Sequence, residues 1–175
     1  MFFNEEVLLQ IEEKEQWPKA IKWLKTQNEH CCNMISLLHY IGEIWYVLML
    51  WDCCISHEGL EYGDLTGRLK HEIAHNIVKI RNNAIIEAYI GYMIWITPHL
   101  LIGFTKGADS YEDCSRIGIK MMADARMKAP NNIIVQILTS SSPDLERKKY
   151  AHDLHTLHFG QSALGVYFRD IIIGK

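Results

Sequence analysis

Residues 71–75 place two histidines and a glutamate at a spacing that suits zinc-dependent hydrolysis. They read His71-Glu72-Ile73-Ala74-His75. In a helix, residues four apart share one face, so both imidazoles can reach one zinc ion. The glutamate between them can act as general base toward a zinc-bound water. One hypothesis for the chain is therefore a zinc-dependent hydrolase that uses His71, Glu72 and His75.

The surroundings of this motif argue against that hypothesis. The motif resembles that of zincin metallopeptidases, whose pattern has a small or aliphatic residue three positions before the first histidine and no lysine directly before it. Here those positions hold Arg68 and Lys70, and a cationic flank disfavours a bound dication. Residues 76–81 lack the additional histidine ligand of metzincins. Glu87 is the nearest downstream glutamate, and it follows the motif closely for the third zinc ligand of a gluzincin. We therefore predict no catalytic residue, no metal site and no cofactor.

Length and composition exclude several other classes. The chain has 175 residues, 49% hydrophobic and 22% charged, which predicts a single globular domain. A net charge of −3 disfavours direct binding to nucleic acid. Charged or polar residues interrupt the apolar runs 34–55 and 84–104, so we predict no membrane span. The five cysteines, an odd number with two adjacent pairs, indicate a reducing cytoplasm rather than a disulfide framework.

Apolar residues recur at helical spacing along most of the chain. Helices are predicted over residues 5–11, 19–27, 31 or 33 to 54, 69–80, 84–96, 111–128, 145–157 and 161–172. Residues 56–67, with three glycines, predict a loop. Residues 133–138 fit a short helix or a buried strand, and the continuous helical periodicity favours the helix. We predict an all-α fold, one compact domain over residues 1–175 with eight to nine helices packed as antiparallel hairpins.

A local pattern in residues 17–45 is similar to a known helix pair. Residues 17–24 read Trp-Pro-Lys-Ala-Ile-Lys-Trp-Leu, and residues 40–45 read Tyr-Ile-Gly-Glu-Ile-Trp. Together they resemble one Sel1-like or tetratricopeptide hairpin. The pattern does not recur, whereas a solenoid needs at least three stacked repeats. The resemblance therefore implies a helical hairpin and not a repeat protein.

Acidic residues dominate residues 26–67. This stretch contains no lysine or arginine but holds six acids and an aromatic residue, Tyr62. A surface of one sign steers association with a partner of opposite charge, and aromatic side chains often anchor such interfaces. The alternative is an acidic loop that only aids solubility. The candidate partner-binding residues are Glu29, Asp52, Glu58, Glu61, Tyr62 and Asp64.

The closing run of the chain carries a second resemblance. Residues 159–170 read Phe-Gly-Gln-Ser-Ala-Leu-Gly-Val-Tyr-Phe-Arg-Asp. With the general build of a small helical protein, this run is similar to immunity proteins of bacterial polymorphic toxin systems, such as contact-dependent growth inhibition. The resemblance implies a cytoplasmic inhibitor without catalysis. It would bind a cognate toxin domain, often a nuclease, in a stoichiometric complex.

Overall fold

The computed structural model describes residues 5–31, 33–53, 58–139 and 159–173, and the regular structure in this part of the chain is helical. It contains one 3₁₀ helix, Pro98–Leu101, and eight α-helices. The α-helices are α1 (Glu5–Glu12), α2 (Trp17–Cys31), α3 (Met34–Met49), α4 (Tyr62–Arg81), α5 (Ala84–Ile96), α6 (Tyr111–Lys128), α7 (Ile133–Thr139) and α8 (Ala163–Ile173). The all-α prediction is confirmed, including the helical assignment of residues 133–138.

Some predicted boundaries differ from the structure. The predicted loop 56–67 is too long, because α4 already begins at Tyr62 and contains Gly63 and Gly67. Burial of Leu65 and Leu69 on one face of α4 outweighs the low helix propensity of glycine. The third helix ends at Met49 and not near residue 54. The helix predicted over residues 145–157 lies outside the described residues.

Asparagine and serine side chains cap several of these helices at their first turns, among them α3, α5 and α6. Asn33 Oδ1 accepts a hydrogen bond from the Ser36 N–H at 2.8 Å, which caps α3. Asn83 Oδ1 accepts from two backbone N–H groups at the start of α5, and Ser110 Oγ accepts from the Asp113 N–H at 3.1 Å at the start of α6. Each cap satisfies a donor that the helix itself leaves unpaired.

The chain divides into two compact units. Unit 1 comprises Met1–Glu61 and Ser142–Lys175, and its described helices are α1, α2, α3 and α8. Unit 2 comprises Tyr62–Ser141 and contains α4 to α7. The assignment of residues 1–175 to one domain stays a prediction.

An aromatic cluster fills the core of unit 1. Trp45 of α3 is fully buried and stacks on Phe168 of α8, with ring centroids 5.9 Å apart. Phe159, which precedes α8, contacts Phe168 at 5.3 Å and His39 of α3 at 4.8 Å. Buried aromatic rings contribute large apolar areas to a core. The cluster therefore fixes α8 and the residues before it against α3.

A close helix crossing organises unit 2. α5 and α6 approach each other at Gly91 and Gly118, where a Cβ added to Gly118 would lie 2.6 Å from Gly91 O and 2.7 Å from Trp95 N. Only the absence of a side chain permits this approach. α5 is buried from Ile86 to Ile94, but none of the helices in the described ranges has the length and hydropathy needed to span a bilayer.

We predict that Gly118→Ala lowers the free energy of unfolding by about 3 kcal/mol, because the methyl group would meet backbone atoms that cannot rotate away. Gly67→Ala is the matched control, since a Cβ there meets nothing within 4 Å. It should stabilise the chain by about 0.5–1 kcal/mol through helix propensity. Urea denaturation of both variants measures the difference. Equal stability of the two variants would contradict the close crossing.

Candidate functional site

The two histidines of the sequence motif lie on one exposed face of α4. The rings of His71 and His75 are stacked, with centroids 5.6 Å apart and planes 13° apart. Both side chains are exposed, whereas Ile73 and Ile80 of the same helix are fully buried. The expected helical geometry of the motif is therefore present, on the side of α4 away from its apolar stripe.

No third ligand joins the histidine pair in the described part of the chain. Glu72 is held locally, because the Asn76 side-chain amide donates to the Glu72 backbone carbonyl at 2.9 Å and contacts its carboxylate at 3.5 Å. Among the described residues, no group of three or more histidines, cysteines, aspartates or glutamates is arranged to hold a metal ion. Two imidazoles alone do not make the three-ligand site that zinc catalysis requires.

The structure distributes the candidate partner-binding residues over both units. Glu29, Asp52, Glu58 and Glu61 belong to unit 1, and Tyr62 and Asp64 belong to unit 2. All six are exposed, Tyr62 to 40%. The expectation that Asp64 lies in a loop is wrong, since Tyr62 and Asp64 stand in the first turn of α4. An acid there is favoured by the positive end of the helix dipole.

Basic neighbours offset several of these acids. Glu29 forms an ion pair with Lys25 at 3.8 Å, and Asp64 shares a face of α4 with exposed Arg68, one turn later. Glu58 borders a concavity of about 470 Å³ in unit 1 that also contains two lysines. Its lining residues are Lys14, Glu15, Gln16, Pro18, Lys19 and Glu58. The exposed acidic charge is therefore least compensated at Glu61 and Asp52, neither of which forms an ion pair in the described part of the chain.

One of the six acids of residues 26–67, Glu43, lies in the core of unit 1 and not at its surface. Its side chain is 1% exposed, and Glu12 of α1, which is 7% exposed, hydrogen-bonds to it. Glu12 Oε2 also accepts from the Ala163 N–H at 2.7 Å. Neither glutamate is among the predicted site residues. The sequence marks Glu43 as a candidate buried acid only by its position as a lone carboxyl group within the apolar run of α3. Glu12 stands among other acidic residues, so nothing in the sequence distinguishes it.

Burial controls the protonation of this carboxyl pair. It raises the pKa of Glu12 from its ordinary 4.5 to about 7, with a further increase from the negative charge of Glu5 and an opposing effect of the hydrogen bonds from Ala163 and Glu43. Burial raises the pKa of Glu43 well above 4.5, and Glu12 raises it further. Burial also raises the pKa of Tyr46, with contributions from both carboxylates. Burial and mutual repulsion therefore both favour a proton on this pair.

Unit 2 buries a carboxyl group in a different way. Glu87 of α5 is fully buried, and its Oε2 lies 2.5 Å from Lys128 Nζ. Lys128 also donates to the Arg81 carbonyl at 2.7 Å, which ties the end of α6 to the end of α4. Burial raises the pKa of Glu87, and Lys128 opposes the increase. This ion pair is a structural contact between helices.

We predict that Lys128→Ala costs about 3 kcal/mol of stability at pH 7.5 and less at pH 5, because Glu87 would be left buried without a cation. Loss of the cation raises the pKa of Glu87, and a raised carboxyl pKa favours the folded state at low pH. Urea denaturation at both pH values tests this. Lys120→Ala, an exposed lysine of the same helix, is the control and should change stability by less than about 0.5 kcal/mol. An equal cost of Lys128→Ala at the two pH values would contradict the role of the buried charge.

We also predict that the purified protein carries less than about 0.1 zinc per chain, because the described residues offer two ligands where zinc usually takes three or four. Elemental analysis after dialysis measures the content, with His71→Ala and His99→Ala as the test and the control variant. Stoichiometric zinc that His71→Ala removes and His99→Ala retains would restore the hydrolase hypothesis.

Comparison with protein-family models, with curated proteins and with solved structures finds no match for this chain. No functional residue is therefore transferred from another protein. The functional candidates are the exposed acids between residues 29 and 64, the histidine pair of α4 and the buried carboxyl pair of unit 1.

Proposed function

We propose that the chain is an immunity protein, which binds a cognate bacterial toxin domain, a nuclease, and neutralises it by stoichiometric complex formation. The observation that carries the proposal is the stretch of residues 26–67 without lysine or arginine, in which five of the six acids are exposed. A nuclease binds phosphates through a basic cleft. Exposed carboxylates can occupy such a cleft in place of phosphates and exclude the nucleic acid.

The proposal includes no catalysis, no cofactor and no direct binding of nucleic acid by this chain. Its net charge is −3, so its own surface offers no general attraction for phosphates. The cytoplasm is the proposed compartment, where the toxin would act. The free thiols of Cys53 and Cys114 are compatible with a reducing environment.

The experiment that tests this function is co-expression with a cognate toxin domain, for which the product of the gene immediately upstream is the candidate. The chain should restore growth of a bacterial host that expresses this domain, and the two purified proteins should elute as a 1:1 complex in size-exclusion chromatography with light scattering. Absence of both rescue and complex, with each protein folded, would refute the proposal. Rescue without a complex would point to a mechanism other than neutralisation by binding.

We predict that charge reversal at Glu58, Glu61 and Asp64 together weakens binding to the toxin domain more than about tenfold at low salt, chiefly through a slower association rate. Among the single variants, Glu61→Lys should have the largest effect, because lysines border the concavity at Glu58 and Arg68 follows Asp64 on α4. Surface plasmon resonance at two salt concentrations measures the rates.

The control for this prediction is a triple reversal at Glu13, Asp109 and Glu112, which are exposed acids outside residues 26–67. This variant has the same net charge as the first, so any difference between them reports the position of the charges and not their sum. Equal affinity of the two triple variants would show that the interface lies elsewhere on the chain.

A further inference from the structure

Carboxyl groups of α1 hold the start of α8 from outside that helix. Glu12 Oε2 accepts from the Ala163 N–H, the first of α8, and Glu5 Oε1 accepts from the Gln161 N–H two residues earlier. Between them, Ser162 is fully buried, and its Oγ accepts from the Gly165 N–H at 3.2 Å. These contacts satisfy donors at the helix start that have no partner within the helix. The attachment of α8 to α1 thus depends on two acidic side chains.

The backbone before α8 is shaped around these acids. Gly160 adopts a φ of +53°, and a Cβ at this position would overlap the Glu5 carboxylate. Phe159 and Phe168 continue the contact into the aromatic cluster on α3. Glycine at residue 160 therefore allows the acidic side of α1 to reach the backbone at the start of α8.

No cation compensates the buried carboxyl pair in the part of the chain that the structure describes. Neither Glu12 nor Glu43 takes part in an ion pair there, and Glu12 Oε1 and Glu43 Oε1 have no conventional hydrogen-bond donor. The two carboxyl groups share a hydrogen bond. A hydrogen bond between two carboxyl groups requires that one of them carries a proton. Closing unit 1 around this pair therefore retains a proton that the separated, hydrated groups would release.

Two titratable groups act on the pair electrostatically, Glu5 of α1 and Tyr46 of α3. The helices that carry or contact the pair also hold buried His39 on α3 and Tyr167, Arg169 and Asp170 on α8, the last two in an ion pair with each other. The lysines of α2, at residues 19, 22 and 25, are exposed. His39 is the one buried imidazole among these groups, and its ring contacts Phe159. It is therefore the rival source of any pH dependence.

We propose that Glu12 and Glu43 form a proton-dependent latch that holds α8 on α1 and α3 and that opens as the pH rises through neutrality. In the closed state the pair is buried, no described cation pairs with it, and it keeps its proton. In the open state both groups are hydrated and lose protons at ordinary pH values, so removal of protons favours opening.

Amide hydrogen exchange of the full chain, followed residue by residue from pH 5 to pH 8, tests the latch. The protection of the α8 amides is divided by that of α5 amides of unit 2 at each pH, which cancels the intrinsic pH dependence of exchange. With the pKa of Glu12 at about 7 in place of 4.5, this ratio should fall by about 100-fold between pH 5 and pH 8. A fall of less than tenfold overturns the proposal, and so does equal loss of protection in both units.

Variants identify the groups responsible. The double variant Glu12→Gln, Glu43→Gln keeps the side-chain lengths and the acceptor for the Ala163 N–H but cannot titrate. The logarithm of the change in the protection ratio between pH 5 and pH 8 should therefore fall to half or less of its value in the unmodified chain. Glu13→Gln changes the exposed neighbour of Glu12 and should behave as the unmodified chain. Retained pH dependence in the double variant overturns the proposal and assigns the effect to another group such as His39. If the double variant does not fold, each single variant should show a smaller pH dependence than the unmodified chain, and an unchanged dependence in both overturns the proposal.

Discussion

The burial of two carboxyl groups, with no cation paired to them among the described residues, is the constraint on which unit 1 depends. An ionised carboxylate in such surroundings costs several kcal/mol, and two adjacent ones would also repel each other. The pair at Glu12 and Glu43 avoids this cost by keeping a proton and by accepting the Ala163 N–H. The Glu12 contact with Ala163 brings α1 against α8. The neighbouring contact of Glu5 with Gln161 accounts for the glycine at residue 160, where a side chain would displace the Glu5 carboxylate.

The two units solve the same problem by different chemistry. Unit 2 neutralises fully buried Glu87 with Lys128, so its buried carboxyl carries its own counter-charge. Among the described residues of unit 1 no cation pairs with Glu12 or Glu43, so a proton from the solvent serves the same purpose there. The stability of unit 1 therefore depends on a retained proton, whereas in unit 2 Lys128 opposes the rise in the pKa of Glu87 that burial causes. The buried acids of both units thus have structural roles, whereas the proposed toxin binding rests on the exposed acids.

The helices could be predicted from the sequence because their apolar periodicity is strong, and the bounds of α5 and α6 agree with it to the residue. The length of the loop 56–67 could not be predicted correctly, because its glycines indicate a break in the helix. In the structure, burial of Leu65 and Leu69 stabilises α4 from Tyr62 onward, including Gly63 and Gly67. The exposure of the histidine pair was also predictable from helical spacing. The Glu12–Glu43 pair was not, since it joins residues from two helices whose contact depends on tertiary packing and leaves no local pattern.

The proposed latch requires that the closed chain keeps its buried pair protonated near neutral pH. It is tested most directly by a carbon-13 NMR titration of the side-chain carboxyl groups in the unmodified protein. Glu12 should titrate at about pH 7, and Glu43 should titrate well above the ordinary value of 4.5. Titration of both groups near the ordinary value of 4.5 would contradict the account, because the pair would then be charged in the folded state.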